Sequence, residues 1–254
     1  TLFIVGLALA SPAPGQRFHL RDGSVLDAED FTVRGVRLVE CIEAADADAA
    51  VERLHWVADV VRVEGPEPEA LLDARTALAA GDAAEAIRLC TGLQAEWVLF
   101  AKVPGSWWTE ASRIRLRGLL RSKELKQAER AAREIIATSI DPEAVGLARL
   151  GLAEAQADGG NREIASAMLD AILAKEVPPA VHASSWLLRG ELALAQGDSE
   201  AALEAFLRIP VLYGTRIDLL PSALVGSVRA YRMRNEPGRA DRAAAELIRD
   251  FPES

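Results

Sequence analysis

A helix–turn–helix pattern recurs along the chain and constrains its fold more than any other feature. The segments WLLRGELALAQGDSEAALEAF (residues 186–206) and DARTALAAGDAAEAIRLC (residues 73–90) each carry a Gly-Asp pair between two helical stretches. Glycine at such a joint ends one helix, and aspartate caps the next. Two copies with the same spacing predict helical hairpins that stack as repeats.

Small residues occupy matched positions in the two copies. Gly190 and Ala74 let the second helix of each hairpin cross closely over the first. Ala202 and Ala86 supply the matching contact on the second helix. Phe206, at the end of the pattern, is predicted to fill the seam toward the next hairpin.

Three further segments follow the pattern with altered loops. Their key residues are Gly118 with Ala128 and Ala132, Gly151 with Ala165 and Leu169, and Leu224 with Val228, Tyr231 and Ala240. About five hairpins are enough for a stable solenoid. The pattern resembles the tetratricopeptide repeat (TPR), and the resemblance implies a mainly α protein with a TPR-like α-solenoid of about five helical hairpins.

The C-terminal repeats resemble those of bacterial cell-envelope proteins such as the Tol–Pal coordinator family. The shared residues are Tyr213, Pro221-Ser222-Ala223-Leu224, Ala230-Tyr231, Ala240 and Phe251-Pro252-Glu253-Ser254. That family carries a coiled coil before its repeats, whereas this chain carries a β-rich segment. The resemblance implies a shared repeat architecture and a place in the cell envelope.

The β-rich segment, residues 16–66, alternates apolar and polar side chains around the turn signals Asp22-Gly23 and Arg34-Gly35. Such alternation predicts short strands joined by tight turns. A further tight turn is predicted at Ala58-Asp59, directly before the last strand. We expect these strands to curl into a small barrel, because closure removes exposed strand edges.

This segment resembles small SH3-like or Sm-like barrels. Sm-like relatives often bind RNA, but residues 17–66 hold 6 arginines against 11 aspartates and glutamates. An acidic surface repels phosphate, so the charge excludes nucleic acid as a partner. The net charge of −9 for the whole chain points the same way.

The first ten residues, TLFIVGLALA, are apolar or small and too few to span a bilayer. They suit the remnant of a secretory signal, because Ala8-Leu9-Ala10 before Ser11 has the form of a cleavage site. The usual Met and basic segment are missing, so the chain looks truncated; the alternative is an orphan N-terminal strand or helix. Export to the periplasm or cell envelope follows, with no stable membrane insertion after cleavage. The expected domains are a signal remnant and linker (1–15), an SH3-like β domain (16–66) and a TPR-like domain (67–254).

Cysteine and histidine spacing gives no sign of a metal site. Cys41 and Cys90 lack metal-ligand spacing, and His19, His55 and His182 lie far apart. Export would permit a disulfide, but Cys90 falls on a helix packing position where buried free thiols are common, so pairing stays open. Motifs for nucleophilic, metal or nucleotide chemistry are missing from the sequence. We therefore predict a protein that is not an enzyme and takes no cofactor.

Two adjacent tryptophans, Trp107 and Trp108, stand out in the segment VPGSWWTE. Ser106 is a plausible N-cap, which places both rings in the first turn of a helix. Neighbouring helical residues point about 100° apart, so both rings cannot face one way. We expect one of them to pack at a structural joint with Trp97 and Phe100. The alternative is a surface cluster that stacks on a glycan or peptide.

A TPR array binds partners mainly on its concave face, which the first helices of the hairpins line. The resemblance places these residues on that face: Arg75, Arg115, Leu119, Glu191, Leu194, Arg229 and Arg232. Four of the seven are arginines. The sequence thus predicts an interaction scaffold that holds another protein or peptide segment, with an acidic or C-terminal-carboxylate character. Homo-oligomerisation stays open.

Two other functions remain as alternatives, and the role of one basic surface stripe stays open. A cell-wall glycan binder would use Trp107 and Trp108. A carboxylate-based hydrolase would need two carboxyl groups that face each other across a cleft. Finally, Arg113, Arg117 and Arg121 form a basic stripe at helical spacing, which is either a solvated face or a second site for an acidic partner.

Overall fold

The structure is a computed structural model that describes residues 15–42 and 51–252. The predicted signal remnant and linker (1–15) lies outside these ranges up to residue 14. The segment AADADAA (44–50), which the sequence predicts as a polar loop or a short helical turn, also lies outside them. The described chain forms two compact units. One unit extends to Ser122 and includes Ala137–Asp141, and the other comprises Lys123–Ile136 and the residues from Pro142 onward.

Six short strands make up the N-terminal part of the first unit. They are β1 (Arg17–Leu20), β2 (Val25–Asp27), β3 (Phe31–Arg34), β4 (Arg37–Ile42), β5 (Val51–Trp56) and β6 (Val60–Glu64). They form two antiparallel three-stranded sheets with the orders β2-β1-β6 and β3-β4-β5. The expected barrel is therefore wrong in one respect, since the described strands do not close into a single sheet.

The turns of this β region fall where the sequence places them. Gly23 and Gly35 have φ angles of +89° and +62°, which only glycine adopts readily, and they join β1 to β2 and β3 to β4. A 3₁₀ turn at Val57–Asp59 precedes β6. Alternation along β1 puts Phe18 and Leu20 on one face of the strand, and both are buried.

The β sheets and the first helices share one aromatic core. The ring of Phe18 lies 5.0 Å from Phe31, 5.1 Å from Phe100 and 6.2 Å from Trp97, measured between centroids. Trp97 and Phe100 also contact each other at 5.8 Å. The β region is thus packed on the first hairpin rather than tethered to it.

Ten helices occupy the rest of the described chain. They are α1 (Glu69–Ala79), α2 (Ala83–Trp97), α3 (Trp107–Arg121), α4 (Leu125–Thr138), α5 (Pro142–Asp158), α6 (Arg162–Leu173), α7 (Pro179–Ala195), α8 (Ser199–Leu212), α9 (Leu220–Met233) and α10 (Pro237–Asp250). This confirms the mainly α, TPR-like order of five helical hairpins. Within the described ranges, no helix is long and apolar enough to cross a membrane.

The Gly-Asp joints have the predicted capping geometry. Asp82 accepts a hydrogen bond from the backbone N–H of Glu85, and Asp198 accepts one from that of Ala201, both at 3.0 Å. The preceding residue, Gly197 in the second joint, has a φ of +81°. Aspartate therefore satisfies a backbone donor that the first turn of a helix leaves without a partner.

Successive hairpins of the second unit pack on one another. Helix α5 packs on α6 and α7, and α7 packs on α8 and α9. Helix α9 in turn packs on α10. In the first unit, α1, α2 and α3 make mutual contacts. Nearest-neighbour packing of this kind is the defining property of helical repeats.

Candidate functional site

A cavity of about 310 Å³ lies between α7 and α9, above α8. We call it the α7–α9 pocket. It brings together three of the residues predicted from the sequence, Glu191, Leu194 and Arg229. The other lining residues are Phe206, Pro221, Ser222, Val225 and Gly226. Helices α7 and α9 are the first helices of consecutive hairpins, so the pocket lies on the helices that the repeat pattern assigns to partner binding.

The floor of the pocket is the ring of Phe206, which is 1% exposed. A Cβ atom on Gly190 of α7 would lie 2.5 Å from this ring, and one on Gly226 of α9 would lie 2.6 Å from its Cε1 atom. Real Cβ atoms do not approach this closely. Both glycines are therefore needed on steric grounds, because they let one phenyl ring fill the space beside two helices.

Helical spacing explains which side chains reach the pocket. On α7, Glu191 and Leu194 are three residues apart and share a face. On α9, the lining residues Ser222, Val225, Gly226 and Arg229 follow an i, i+3, i+4, i+7 pattern. Each helix thus presents one continuous stripe to the cavity.

Glu191 is exposed to solvent, yet protein atoms crowd its carboxyl group. This desolvation raises the pKa of Glu191 above its usual value, and the charge of Arg229 partly opposes the shift. Within the described chain, Glu191 makes neither a hydrogen bond nor an ion pair. The pocket wall therefore holds a carboxylate whose acceptor sites remain available.

Arg229 and Arg232 are exposed and make no hydrogen bond or ion pair with any described residue. Other arginines of the same unit do form such pairs. Arg189 binds Asp170 at 2.6 Å, Arg208 binds Glu204 at 2.6 Å and Arg234 binds Glu236 at 2.8 Å. Arg229, which lines the α7–α9 pocket, and Arg232, which is outside its lining, thus keep their donors available for a ligand.

The predicted concave arginines of the first unit are committed to neighbours. Arg75 forms ion pairs with Glu67 and, at 3.1 Å, with Glu110. Arg115 donates a hydrogen bond of 2.9 Å to the side-chain oxygen of Gln94. The ion pairs neutralise the charge of Arg75, and the hydrogen bond uses a donor of Arg115. The sequence-based hypothesis assigns both groups to a partner.

Leu119 requires a correction. It was expected on the partner-binding face, but its side chain is fully buried in the first unit. A leucine with no exposed area contributes to packing and cannot line a binding surface. The divergent second hairpin, with its shortened loop, is the place where the register is hardest to assign from sequence.

The tryptophan pair divides as helical geometry predicts. Trp108 is 2% exposed, whereas Trp107 is half-buried. Ser106 caps the helix and accepts a hydrogen bond of 3.3 Å from the backbone N–H of Trp108. Because the Trp108 ring is inside the protein, the two rings cannot form one exposed stacking platform.

Cys90 is a buried free thiol, and the three histidines have hydrogen-bond partners. Cys90 is a free and fully buried thiol, and burial raises its pKa to about 11. His19 contacts Glu64 at 3.0 Å and His55 contacts Glu40 at 3.1 Å. Among the residues that the structure describes, no three metal-binding side chains cluster as a cation site would require.

Comparison with known proteins does not assign the chain to a family. No protein-family model matches the sequence, and no curated protein does. Two crystal structures of a Podosopora anserina kinesin light chain-like protein with nearly identical TPR-like repeats are similar to it. One of them, a single-substitution form, is 16% identical, with 73% of this chain and 95% of that chain covered and a TM-score of 0.48. The other is 18% identical, with 71% and 92% covered and a TM-score of 0.46.

Proposed function

We propose that this protein is a non-catalytic interaction scaffold of the bacterial cell envelope that holds an acidic segment of a partner protein in the α7–α9 pocket. One observation carries the proposal. Arg229 lines the pocket and, within the described chain, has neither a hydrogen bond nor an ion pair. Arg232 lies one helical turn further along α9 and is equally uncommitted.

The chemistry of these side chains favours a carboxylate ligand. A guanidinium group offers a planar set of donors that matches a carboxylate in two parallel hydrogen bonds. Two such groups on one helix face could hold two acidic side chains or one acidic side chain and a chain terminus. The surrounding charge does not neutralise them through ion pairs, so they attract an anionic segment despite the net charge of −9.

The apolar part of the pocket supplies an anchor position. Phe206 forms its floor, and Leu194 and Val225 form part of its walls. A volume of about 310 Å³ is at the small end of the range for ligand pockets. It suits one or two side chains of an extended or helical segment, and the rest of that segment would lie across α7 and α9.

The location in the cell envelope rests on the sequence. The apolar first ten residues and Ala8-Leu9-Ala10 before Ser11 support export, and the C-terminal repeats are similar to those of the Tol–Pal coordinator family. An SH3-like identity of the β region belongs to the same proposal, supported by the 3₁₀ turn at Val57–Asp59 before the last strand. Cell fractionation and sequencing of the mature N-terminus test export; a mature chain that begins at Ser11 is expected.

The structure favours neither rival function. A glycan platform needs exposed aromatic rings, and Trp108 is buried. Hydrolysis by paired carboxylates needs two carboxyl groups across a cleft. Among the described residues that line the α7–α9 pocket, Glu191 is the one with a carboxylate.

Affinity capture with matched variants tests the proposed function. Wild type, Arg229→Glu and Arg242→Glu would be purified from their native host, and the captured proteins and their cross-linked segments identified by mass spectrometry. Arg242 lies on α10 outside the pocket lining and serves as the control. We expect Arg229→Glu to lose a partner whose bound segment is rich in Asp or Glu, and Arg242→Glu to keep it. A captured partner that ignores Arg229→Glu would refute the proposal.

A further inference from the structure

Glu191 and Arg229 place opposite charges on two different helices of one pocket. Glu191 belongs to α7 and Arg229 to α9, and both line the cavity above Phe206. The two side chains interact electrostatically but do not form an ion pair. Each of the two charged groups is therefore left for a ligand, and the pocket has one acidic side and one basic side.

The packing under the pocket fixes the spacing of the two helices that carry these side chains. Phe206 contacts α7 at Gly190 and α9 at Gly226, where a Cβ atom on either glycine would overlap the ring. The helix spacing is thus set by a buried aromatic side chain and not by the charged groups.

Nearby charges of the same unit do not satisfy Glu191. Lys123 acts on Glu191 electrostatically, but its ammonium group binds Asp158 at 2.7 Å. Asp158 itself carries a like charge toward Glu191. The Lys123–Asp158 pair is thus neutral as a whole, and it does not replace a direct partner for the Glu191 carboxylate.

We propose that the α7–α9 pocket selects an amphoteric peptide segment. An apolar side chain of the segment packs on Phe206, a Lys or Arg of the segment binds Glu191, and an Asp or Glu binds Arg229. This inference rests on the proposed function and adds Glu191 as a specificity-determining residue. A uniformly acidic segment would place a second carboxylate beside Glu191. Repulsion between these like charges would lower the affinity for such a segment.

A peptide library can test the contributions of Glu191 and Arg229 separately. Short immobilised peptides with a central leucine would vary each flanking position among Lys, Glu and Gln, and they would be probed with labelled wild-type protein, Glu191→Gln and Arg229→Gln. Glu246→Gln, an exposed change on α10, is the matched control for Glu191. Circular dichroism and melting temperature would verify that every variant is folded.

We expect the best peptides to carry Lys on one side of the leucine and Glu on the other. Glu191→Gln should weaken their binding about twofold to fivefold, which matches the loss of one partly exposed ion pair. The same substitution should not change the affinity for the peptide in which Gln replaces Lys. A double-mutant cycle between Glu191 and the peptide Lys should therefore show coupling. Glu246→Gln should have no effect on either peptide.

The remaining outcomes separate this inference from the proposed function. Preference for Glu on both sides of the leucine, with unchanged or tighter binding by Glu191→Gln, would overturn the role of Glu191 and leave acidic-segment binding intact. Equal peptide binding by wild type and Arg229→Gln, or the lack of any bound peptide, would overturn both this inference and the proposed function.

Discussion

The ring of Phe206 on α8 occupies the space that a side chain at position 226 on α9 would need. A Cβ atom on Gly226 would lie 2.6 Å from the Cε1 atom of this ring. The same ring also touches α7 at Gly190. The pocket floor and the seam between the last two hairpins are therefore one packing unit.

Gly226→Ala should destabilise the protein by about 1–3 kcal/mol, because the added methyl group overpacks the seam against Phe206. Chemical denaturation with a two-state fit measures this change. Gly92 on α2 is exposed and has no neighbour within 4 Å of a built Cβ, so it gives a matched control. Gly92→Ala should stabilise the protein by about 0.4–1 kcal/mol. Equal effects of the two changes would contradict the packing of Phe206 on Gly226.

Phe18→Ala should cost about 3–5 kcal/mol, because the Phe18 ring joins the sheets to Trp97 and Phe100. Thermal melting followed by tryptophan fluorescence should show a lower Tm and greater solvent access to Trp97. Val25→Ala, at a half-exposed position on β2, should change stability by no more than about 0.5 kcal/mol.

The same contacts change the expectation for truncation. Repeats that contact only their neighbours predict that residues 66–254 fold without the β region. In the structure, removal of Phe18 uncovers Trp97 and Phe100 on the first hairpin, and it removes β6, whose Val63 N–H bonds the Pro104 carbonyl at 2.9 Å. We therefore expect the 66–254 fragment to melt at a lower temperature than the full chain, with loss of order at α1 and α2 in hydrogen exchange. An unchanged exchange pattern there would contradict this.

Cys90 gives a prediction for alkaline pH. Burial raises the pKa of its thiol from 9.0 to about 11, so the folded state holds the proton that the unfolded state releases. The free energy of unfolding should then fall as the pH rises through this range. Denaturant midpoints of wild type and Cys90→Ala, both in a Cys41→Ser background, should show a steeper decline for wild type. In the folded protein at pH 8, Cys90 should resist thiol reagents. Denaturant midpoints that fall in parallel with pH for the two variants would contradict the raised pKa.

Arg75 and Arg229 should respond differently to charge reversal. Arg229→Glu should weaken capture of the acidic partner, and the loss should shrink as salt rises, since the screening length is about 10 Å at 0.1 M. Arg75→Glu should change capture little, because Glu67 and Glu110 already neutralise Arg75. Binding titrations at low and high salt measure both effects. A larger loss for Arg75→Glu than for Arg229→Glu would place the partner on the first unit.

The helix ends and the strand positions were predictable from the sequence, because residues close together in the chain determine them. The Gly-Asp joints at Gly81 and Gly197 mark helix ends through backbone conformation, and the following aspartates cap the next helices. Alternation around Gly23 and Gly35 located the strands. The pairing of the strands into two separate sheets was not predictable in this way, since alternation identifies strands but not which strand edges pair.

The site was only partly predictable for a similar reason. The repeat register places Glu191, Leu194 and Arg229 on the two helices that line the α7–α9 pocket, but it does not identify Gly226. The last repeat has Leu224 and Val228 at the key positions of the pattern, so the register does not identify Gly226, two positions after Leu224, as the contact of Phe206. A small residue near the middle of the first helix of a hairpin was the available signal. The ion pairs of Arg75 depend on residues distant in sequence, and the register alone does not reveal them.

Site-specific photo-crosslinking tests the central claim most directly. A photoreactive amino acid at Val225, in the α7–α9 pocket, is compared in cells with the same group at Val211, which is more exposed but lies on α8 outside the pocket lining. The account predicts a cross-linked partner segment at position 225 that disappears with Arg229→Glu, and little cross-linking at position 211. Equal cross-linking at both positions, or a position-225 product that persists with Arg229→Glu, would contradict it.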